Sequence, residues 1–209
     1  MQNKKKLILF DLDGVIIDSR NNMESAWQAV RVETGTDVSF DDYFALIGRA
    51  FPDIMSRLGI DGDMAKQAET VFRTASMKNI SLIGFFDGVS ATLCKLHEAG
   101  LKMGVVTSKD KLRTNAILAM LPVEFITVQT PNDQFRAKPS PDHLMAAMAA
   151  GQTDPIDSLY VGDMDSDSEA AVRASVDYLH AEWGYGSRPS SETRALSKFV
   201  DLPSYLGVR

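Results

Sequence analysis

The chain has 209 residues, enough for one large domain or for a core domain carrying a smaller insert. Its 44% hydrophobic and 24% charged content is that of an ordinary soluble globular protein, and a net charge of −6 argues against a general nucleic-acid binder. A single cysteine excludes an internal disulfide framework and a cysteine-based zinc site, and no apolar stretch is long enough to span a membrane.

The basic run Lys4-Lys5-Lys6 reads as a solvated approach to the first strand. The apolar run that follows stops at Asp11, too soon for a leader, so a cytoplasmic location is the expectation. Leu7-Ile8-Leu9-Phe10 is a short unbroken apolar run, the signature of a strand buried on both faces of a parallel sheet. Asp11 and Asp13 sit where that strand emerges, with Gly14 behind them. Two readings stand at this point: a solvated Asx turn closed by Gly14, or a pair of acids held at a functional edge.

Residues 19–81 carry helical periodicity. Met23, Ala26, Trp27 and Val30 share one face of a helix that Gly35 ends. Ser39 caps a second helix through Tyr43, Phe44 and Ile47, closed by Gly48. Pro52 opens a third, through Met55 and Leu58, and Met64, Ala68, Val71, Phe72 and Ala75 mark a fourth. From Phe85 onward helix and strand alternate. Helices are predicted over 89–99, 111–121, 141–150 and 168–174, and strands over 103–106, 123–128, 159–162, 176–181 and 199–200. That alternation predicts an α/β fold with a parallel sheet. Cys94, between Leu93 and Leu96, reads as a core thiol. Trp27 and the Phe85-Phe86 pair read as packing residues of the core and the hinge.

Polar residues recur where these strands end: Asp11 and Asp13, Thr107 and Ser108, Asp163 with Asp165 and Asp167. The recurrence favours a shared site. Clustered carboxylates need a cation, and an all-oxygen set without His or Cys favours Mg²⁺ over zinc. His97, His143 and His180 are scattered and read as surface or satisfied side chains. Lys138, held by Pro139 in an extended segment, offers a fixed positive charge to the strand ends. This set suits phosphoryl transfer. Asp11 would attack phosphorus, and Mg²⁺ and Lys138 would neutralise the oxygens. Thr107 and amides near Ser108 would donate to them, and Asp13 would protonate the leaving oxygen and then activate water. A halide would not need that proton, so Asp13 favours a phosphate ester over a carbon–halogen bond.

Four motifs in order resemble the haloacid dehalogenase superfamily, in its branch of phosphoglycolate phosphatase-like and β-phosphoglucomutase-like enzymes. They are Asp11-Leu12-Asp13-Gly14-Val15, Val105-Val106-Thr107-Ser108, Lys138-Pro139 and Gly162-Asp163-Met164-Asp165-Ser166-Asp167. Trp183-Gly184-Tyr185-Gly186 resembles a stretch that follows the fourth motif in that branch. The resemblance implies a Rossmann-like core over 1–18 and 82–209, with the first strand central, and a mobile helical cap over 19–81. It implies Asp11 as nucleophile and Asp13 as acid/base, and a Mg²⁺ site of Asp11, the Asp13 carbonyl and Asp163, supported by Asp167. Asp165, the middle acid of that motif, stands outside the implied set. Arg49, at a cap connection after Gly48, reads equally as a substrate-anion contact or a solvated helix-end residue. The expected substrate is a small phosphomonoester of the phosphoglycolate or sugar phosphate type, with no nucleic-acid or membrane partner. Two alternatives stand beside the phosphatase: a sugar-phosphate mutase and a non-catalytic binding module on the same fold. Where β-phosphoglucomutase-like enzymes carry a cap histidine this chain has Met23, which favours the hydrolase.

Overall fold

The structure, a computed structural model, describes residues 5–208. Eight strands and nine α-helices follow in chain order: β1 (Leu7–Phe10), β2 (Ile17–Asp18), α1 (Arg20–Thr34), α2 (Phe40–Phe44), α3 (Phe51–Arg57), α4 (Gly62–Lys78), β3 (Gly84–Phe85), α5 (Val89–Glu98), β4 (Lys102–Val106), α6 (Lys111–Leu118), β5 (Thr127–Gln129), α7 (Asp142–Gly151), β6 (Ser158–Gly162), α8 (Asp165–Arg173), β7 (Asp177–Ala181), β8 (Ala195–Leu196) and α9 (Leu202–Tyr205). Six strands form one sheet in the order β5-β4-β1-β6-β7-β8, with every pair parallel. The fold is thus α/β and Rossmann-like, with β1 central as the resemblance implied.

The alternation of strand side chains explains the layers. Ile8 and Phe10 of β1 face one way, into a cluster with Leu93 and Leu96 of α5, Ile117 of α6 and Leu202 of α9. Leu7 and Leu9 face the other way, against Leu144 and Met148 of α7 and Ala170 and Ala171 of α8. All four side chains are fully buried, which is why this strand carries no polar residue until it leaves the sheet.

Helices α1–α4 lie between β2 and β3, which pair antiparallel as a two-strand ribbon. They close around a third cluster with Trp27 at its centre, stacked on Tyr43 at 4.5 Å and packed with Met55 and Phe72. A buried polar knot ties α1 to α4. Asn22 Nδ2 donates to the carbonyls of Ser76 (2.9 Å) and Asn79 (2.8 Å), and Ser76 Oγ donates to Asn22 Oδ1 at 2.6 Å.

Several expectations are corrected. Helix α2 ends at Phe44 and a turn carries Ile47, so the second helix is shorter than predicted. Strand β5 covers Thr127–Gln129, with 123–126 running in as irregular chain. Helix α6 stops three residues early, at Leu118, and α8 begins three residues early, at Asp165, because Asp167 closes its first turn. The strand predicted at Phe199-Val200 is a 3₁₀ turn, Phe199–Asp201, and the edge strand is instead Ala195–Leu196. Cys94 is half-buried on the outer side of α5, not a core thiol. Lys5 is not solvated: its ammonium pairs with Asp177 at 2.6 Å and its side chain is 10% exposed. Lys6 meets Asp157 at 2.6 Å, and Lys4 lies outside the described residues. No helix among the described residues is long and apolar enough to cross a membrane.

Asn22→Ala removes three hydrogen bonds and takes a donor from the buried Ser76 carbonyl, so it is expected to lower stability by about 1–3 kcal/mol. The shift of the urea midpoint measures it, and an unchanged midpoint would show that water replaces the knot.

Candidate active site

The site lies off the carboxyl ends of the three central strands, where an open parallel sheet leaves a crevice. Asp11 follows β1, and its amide still pairs with the Val161 carbonyl at 2.9 Å, so the sheet itself fixes its backbone. Thr107 follows β4 and is held in the same way by Gln129 at 3.0 Å. Asp163 follows β6. Asp167 stands one turn into α8, where its Oδ2 accepts from the amides of Asp163 (3.2 Å) and Met164 (3.0 Å). These bonds satisfy two donors at the helix N-terminus and suit the positive end of its dipole.

Lys138 arrives from the loop before α7, its peptide to Pro139 being cis. Its Nζ lies 2.7 Å from Asp167 Oδ1, 3.0 Å from Asp11 Oδ1 and 3.3 Å from the Tyr160 hydroxyl. Tyr160 in turn donates to Asp167 Oδ1 at 2.8 Å. Asp11, Asp163 and Asp167 bring one oxygen each to within 4.8 Å of one another, all three residues buried. Ionised together, three carboxylates against one ammonium would leave two negative charges uncompensated, the charge of one divalent cation. Burial pushes the Asp11 carboxyl up to about 7, with Lys138 opposing and Asp167 and Asp13 adding repulsion. Burial and the same carboxylate repulsion push Asp163 well above its ordinary range. Burial acts to lower the Lys138 ammonium, but Asp11 and Asp167 outweigh it and hold the pKa above its usual value.

Asp163 Oδ1 is buried without a hydrogen-bond partner among the described residues and marks where a cation fits. Asp11 Oδ1 is already paired with the Lys138 ammonium at 3.0 Å. Both oxygens of Asp167 are engaged by protein donors, so Asp167 orients Lys138 and the loop. The donor set is all oxygen, which fits a hard divalent cation. Asp165 points outward, exposed on α8, and stays outside the cluster.

Glycines let the loops close in. Gly14 has φ +81°, and a Cβ there would lie 2.1 Å from Asp163 Oδ2. At Gly184 a Cβ would lie 2.4 Å from the Cβ of Asp163. Beside it the Tyr185 amide donates to Asp163 Oδ2 at 2.7 Å, so the Trp183-Gly184-Tyr185-Gly186 stretch aims that carboxylate.

Asp13 faces a cavity of about 60 Å³ together with Asp11, Thr107, Ser108 and Arg49. Its Oδ1 accepts from Ser19 Oγ and pairs with Lys109 Nζ at 3.0 Å. Thr107 Oγ1 accepts from the Lys109 amide at 3.1 Å. Ser108 Oγ donates to the carbonyl of Gly48 at 2.9 Å, and Ser166 Oγ reaches the same carbonyl at 3.2 Å. Arg49 is therefore not free in solvent. It stands in the cavity wall with its side chain 30% exposed and a long, 3.4 Å pairing to Asp53.

Sequence reading missed Lys109, Ser19, Tyr160 and Arg113, and named Tyr185 only within the stretch that resembles the family. Lys109 was legible in principle, because it directly follows Thr107-Ser108 at a strand end. His143 and His180 are buried rather than at the surface: His180 Nδ1 lies 3.1 Å from the Tyr178 hydroxyl, while His143 Nδ1 and His180 Nε2 have no hydrogen-bond partner among the described residues.

Comparisons with known proteins bear on the family and the fold. The sequence model of the haloacid dehalogenase-like hydrolases matches residues 8–181. A phosphoglycolate phosphatase of Pseudomonas syringae pv. syringae is 27% identical over 209 residues, covering 94% of this chain and 77% of that protein. Pyrophosphatase PpaX of Anoxybacillus flavithermus is 30% identical over 209 residues, covering 96% of each. A haloacid dehalogenase-like family hydrolase from Streptococcus pneumoniae superposes with a TM-score of 0.84 at 19% identity, covering 97% of this chain and 98% of that one, a likeness of fold.

Lys138→Met leaves Asp11 and Asp167 buried without their counter-charge. In chelator at neutral pH it is expected to destabilise the protein by about 3–5 kcal/mol, read from denaturant midpoints. A loss below about 1 kcal/mol would show that the acids are neutral without Lys138.

Proposed function

The chain belongs to the haloacid dehalogenase-like hydrolases, and on that premise we propose that it is a Mg²⁺-dependent phosphatase hydrolysing a small phosphomonoester through an aspartyl phosphate on Asp11. The observation that carries this reading is the buried Asp11–Asp163–Asp167 cluster beside Lys138, opening on a cavity shared by Asp11 and Asp13. We assign 1–18 and 82–209 to the core and 19–81 to a cap over that cavity.

Asp11 attacks phosphorus, and the ester oxygen leaves with a proton from Asp13. Water then attacks the acyl phosphate and gives its proton to the Asp13 carboxylate. The bond between phosphorus and Asp11 breaks, inorganic phosphate departs and Asp11 is restored. Both hydrogen-bond partners of Asp13 sit on Oδ1, which leaves Oδ2 for the proton. Lys138 bears part of the negative charge that grows on the phosphoryl oxygens. Thr107 and the amides around Ser108 hold those oxygens, and Gly14 allows the nucleophile's loop to lie against Asp163. Mg²⁺ held by Asp11 and Asp163 with the Asp13 carbonyl, and supported by Asp167 through its hold on the loop, would supply the remaining positive charge.

The mutase alternative is weaker. Met23 lines the cavity and is 6% exposed, and a thioether cannot donate a hydrogen bond or change charge. The phosphatase relatives act, by their names, on small phosphorylated compounds. The intact acid–lysine set disfavours a purely non-catalytic module.

Two measurements test this reading. Asp11→Asn is expected to reduce phosphate release from p-nitrophenyl phosphate to the no-enzyme rate while the protein stays folded; appreciable turnover would remove Asp11 as nucleophile. Millimolar Mg²⁺ is expected to raise the melting temperature of the wild type, and Asp163→Asn to abolish that rise. An equal rise in both would place the ion elsewhere.

A further inference from the structure

Lys109 follows Thr107 and Ser108 beyond the end of β4, and its ammonium lies 3.0 Å from Asp13 Oδ1. The side chain is 3% exposed, so packing holds the whole stem and not only its head. The backbone that carries it is equally fixed. The Thr107 amide pairs with the Gln129 carbonyl at 3.0 Å, and Thr107 Oγ1 accepts from the Lys109 amide at 3.1 Å. One residue on, Asp110 caps α6 by accepting from the Arg113 amide at 3.1 Å. The ammonium therefore stands on the same sheet edge as the nucleophile, on a backbone tied to the sheet before it and to a helix after it.

Among the described residues Asp13 is the one ion-pair partner of Lys109. The neighbouring carboxylates are engaged by other groups: Asp110 by the Arg113 guanidinium, Asp11 by Lys138 at 3.0 Å, and Asp163 Oδ2 by the Tyr185 amide at 2.7 Å. Ser19 Oγ, on the residue before α1, donates to the same oxygen of Asp13. The last torsion of an aspartate is broad and two-fold, so a carboxyl group with no fixed donor turns and exchanges its oxygens. Two donors from separate elements on Oδ1 remove that freedom. Asp13 lines the cavity together with Asp11 and Lys109, and Oδ2 is the oxygen left for chemistry there.

We infer that Lys109 is a positioning residue for the acid: its ammonium commits Oδ1 of Asp13 and so presents Oδ2, with its proton, to the leaving oxygen of the substrate. The inference rests on the phosphatase reading above. In the first step an electron pair of Asp11 forms the new bond to phosphorus. The pair of the broken ester bond stays on the leaving oxygen, which takes the proton from Oδ2. A general acid contributes about 10²–10⁴ in rate, and a misplacement of about 1 Å costs about 10². That help matters most for a basic leaving group. Phenolate is more basic than 4-nitrophenolate, so phenyl phosphate needs the proton that p-nitrophenyl phosphate can do without. Both esters carry the same phosphoryl group on the same ring, so a cation that only neutralised phosphate would help them alike.

The test measures kcat/KM with Mg²⁺ for phenyl phosphate and p-nitrophenyl phosphate in the wild type and in Lys109→Met. This constant covers the steps up to release of the phenol, so the later activation of water does not enter it. Lys109→Met is expected to lower the value for the phenyl ester by about tenfold or more beyond its effect on the nitrophenyl ester. The readout is a ratio within one protein sample, so partial unfolding cancels. Lys109→Gln, which keeps a polar head on a shorter stem, is read in the same way if Lys109→Met does not fold. Equal losses on both esters would make Lys109 a phosphoryl contact or a packing residue, and no loss on either would make it dispensable. Each of these results overturns this inference and leaves the phosphatase standing. A wild type that hydrolyses neither ester overturns both.

Discussion

Lys138 Nζ stands within 3.0 Å of Asp11 and 2.7 Å of Asp167, in a place where neither partner has water to screen it. Taking such ions out of water costs several kcal/mol each, and their attraction repays this only when geometry and hydrogen bonding are good. The surroundings supply that geometry. Tyr160 shares Asp167, two amides at the start of α8 hold its second oxygen, and the sheet fixes the backbone of Asp11. What stays without a donor among the described residues is Asp163 Oδ1, while Asp11 Oδ1 already faces the Lys138 ammonium. A buried carboxylate oxygen with no donor is a place where charge from outside is favourable.

The fold follows from the need to bring those groups together. Strand β1 is buried on both faces, so its polar residues begin only at its end, and its neighbours β4 and β6 deliver Thr107 and Asp163 to the same edge. The helical segment α1–α4 then closes over that edge from a chain position just beyond Asp13. Its attachment is polar and specific. The Gly48 carbonyl takes hydroxyls from Ser108 and Ser166, and Arg113 reaches Ser76, which is tied to Asn22. The cavity is thus walled by both parts of the chain, with charge below and aromatic surface above.

Much of this was legible in the sequence because its signals are local. An apolar run that stops at two acids, a hydroxyl pair at a strand end and acids spaced along a helix start each announce themselves within a few residues. Hence β1, β4, β6 and β7 and the helices α5 and α7 were predicted close to their true bounds, whereas α6 and α8 each missed by three residues at one end. The misses are non-local. Strands β5 and β8 are short edge segments whose pairing depends on neighbours far along the chain, and Phe199 looked like a strand residue because it fills the core from a 3₁₀ turn. Tyr160 reads as one more apolar strand residue, and only the fold sets its hydroxyl 2.8 Å from Asp167, seven positions on. Arg113 and Tyr43 lie on different elements with ordinary surroundings in sequence, and nothing in their spacing reveals that they share a cavity.

The central claim is that Asp11 becomes covalently phosphorylated. The direct measurement is to add borohydride during turnover of a phosphomonoester with Mg²⁺ and to locate the reduced residue by mass spectrometry. Reduction of an aspartyl phosphate converts that aspartate to homoserine, and the expected result is homoserine at position 11, absent when substrate is withheld. Modification at another carboxylate, or steady phosphate release with Asp11 unmodified, would contradict it.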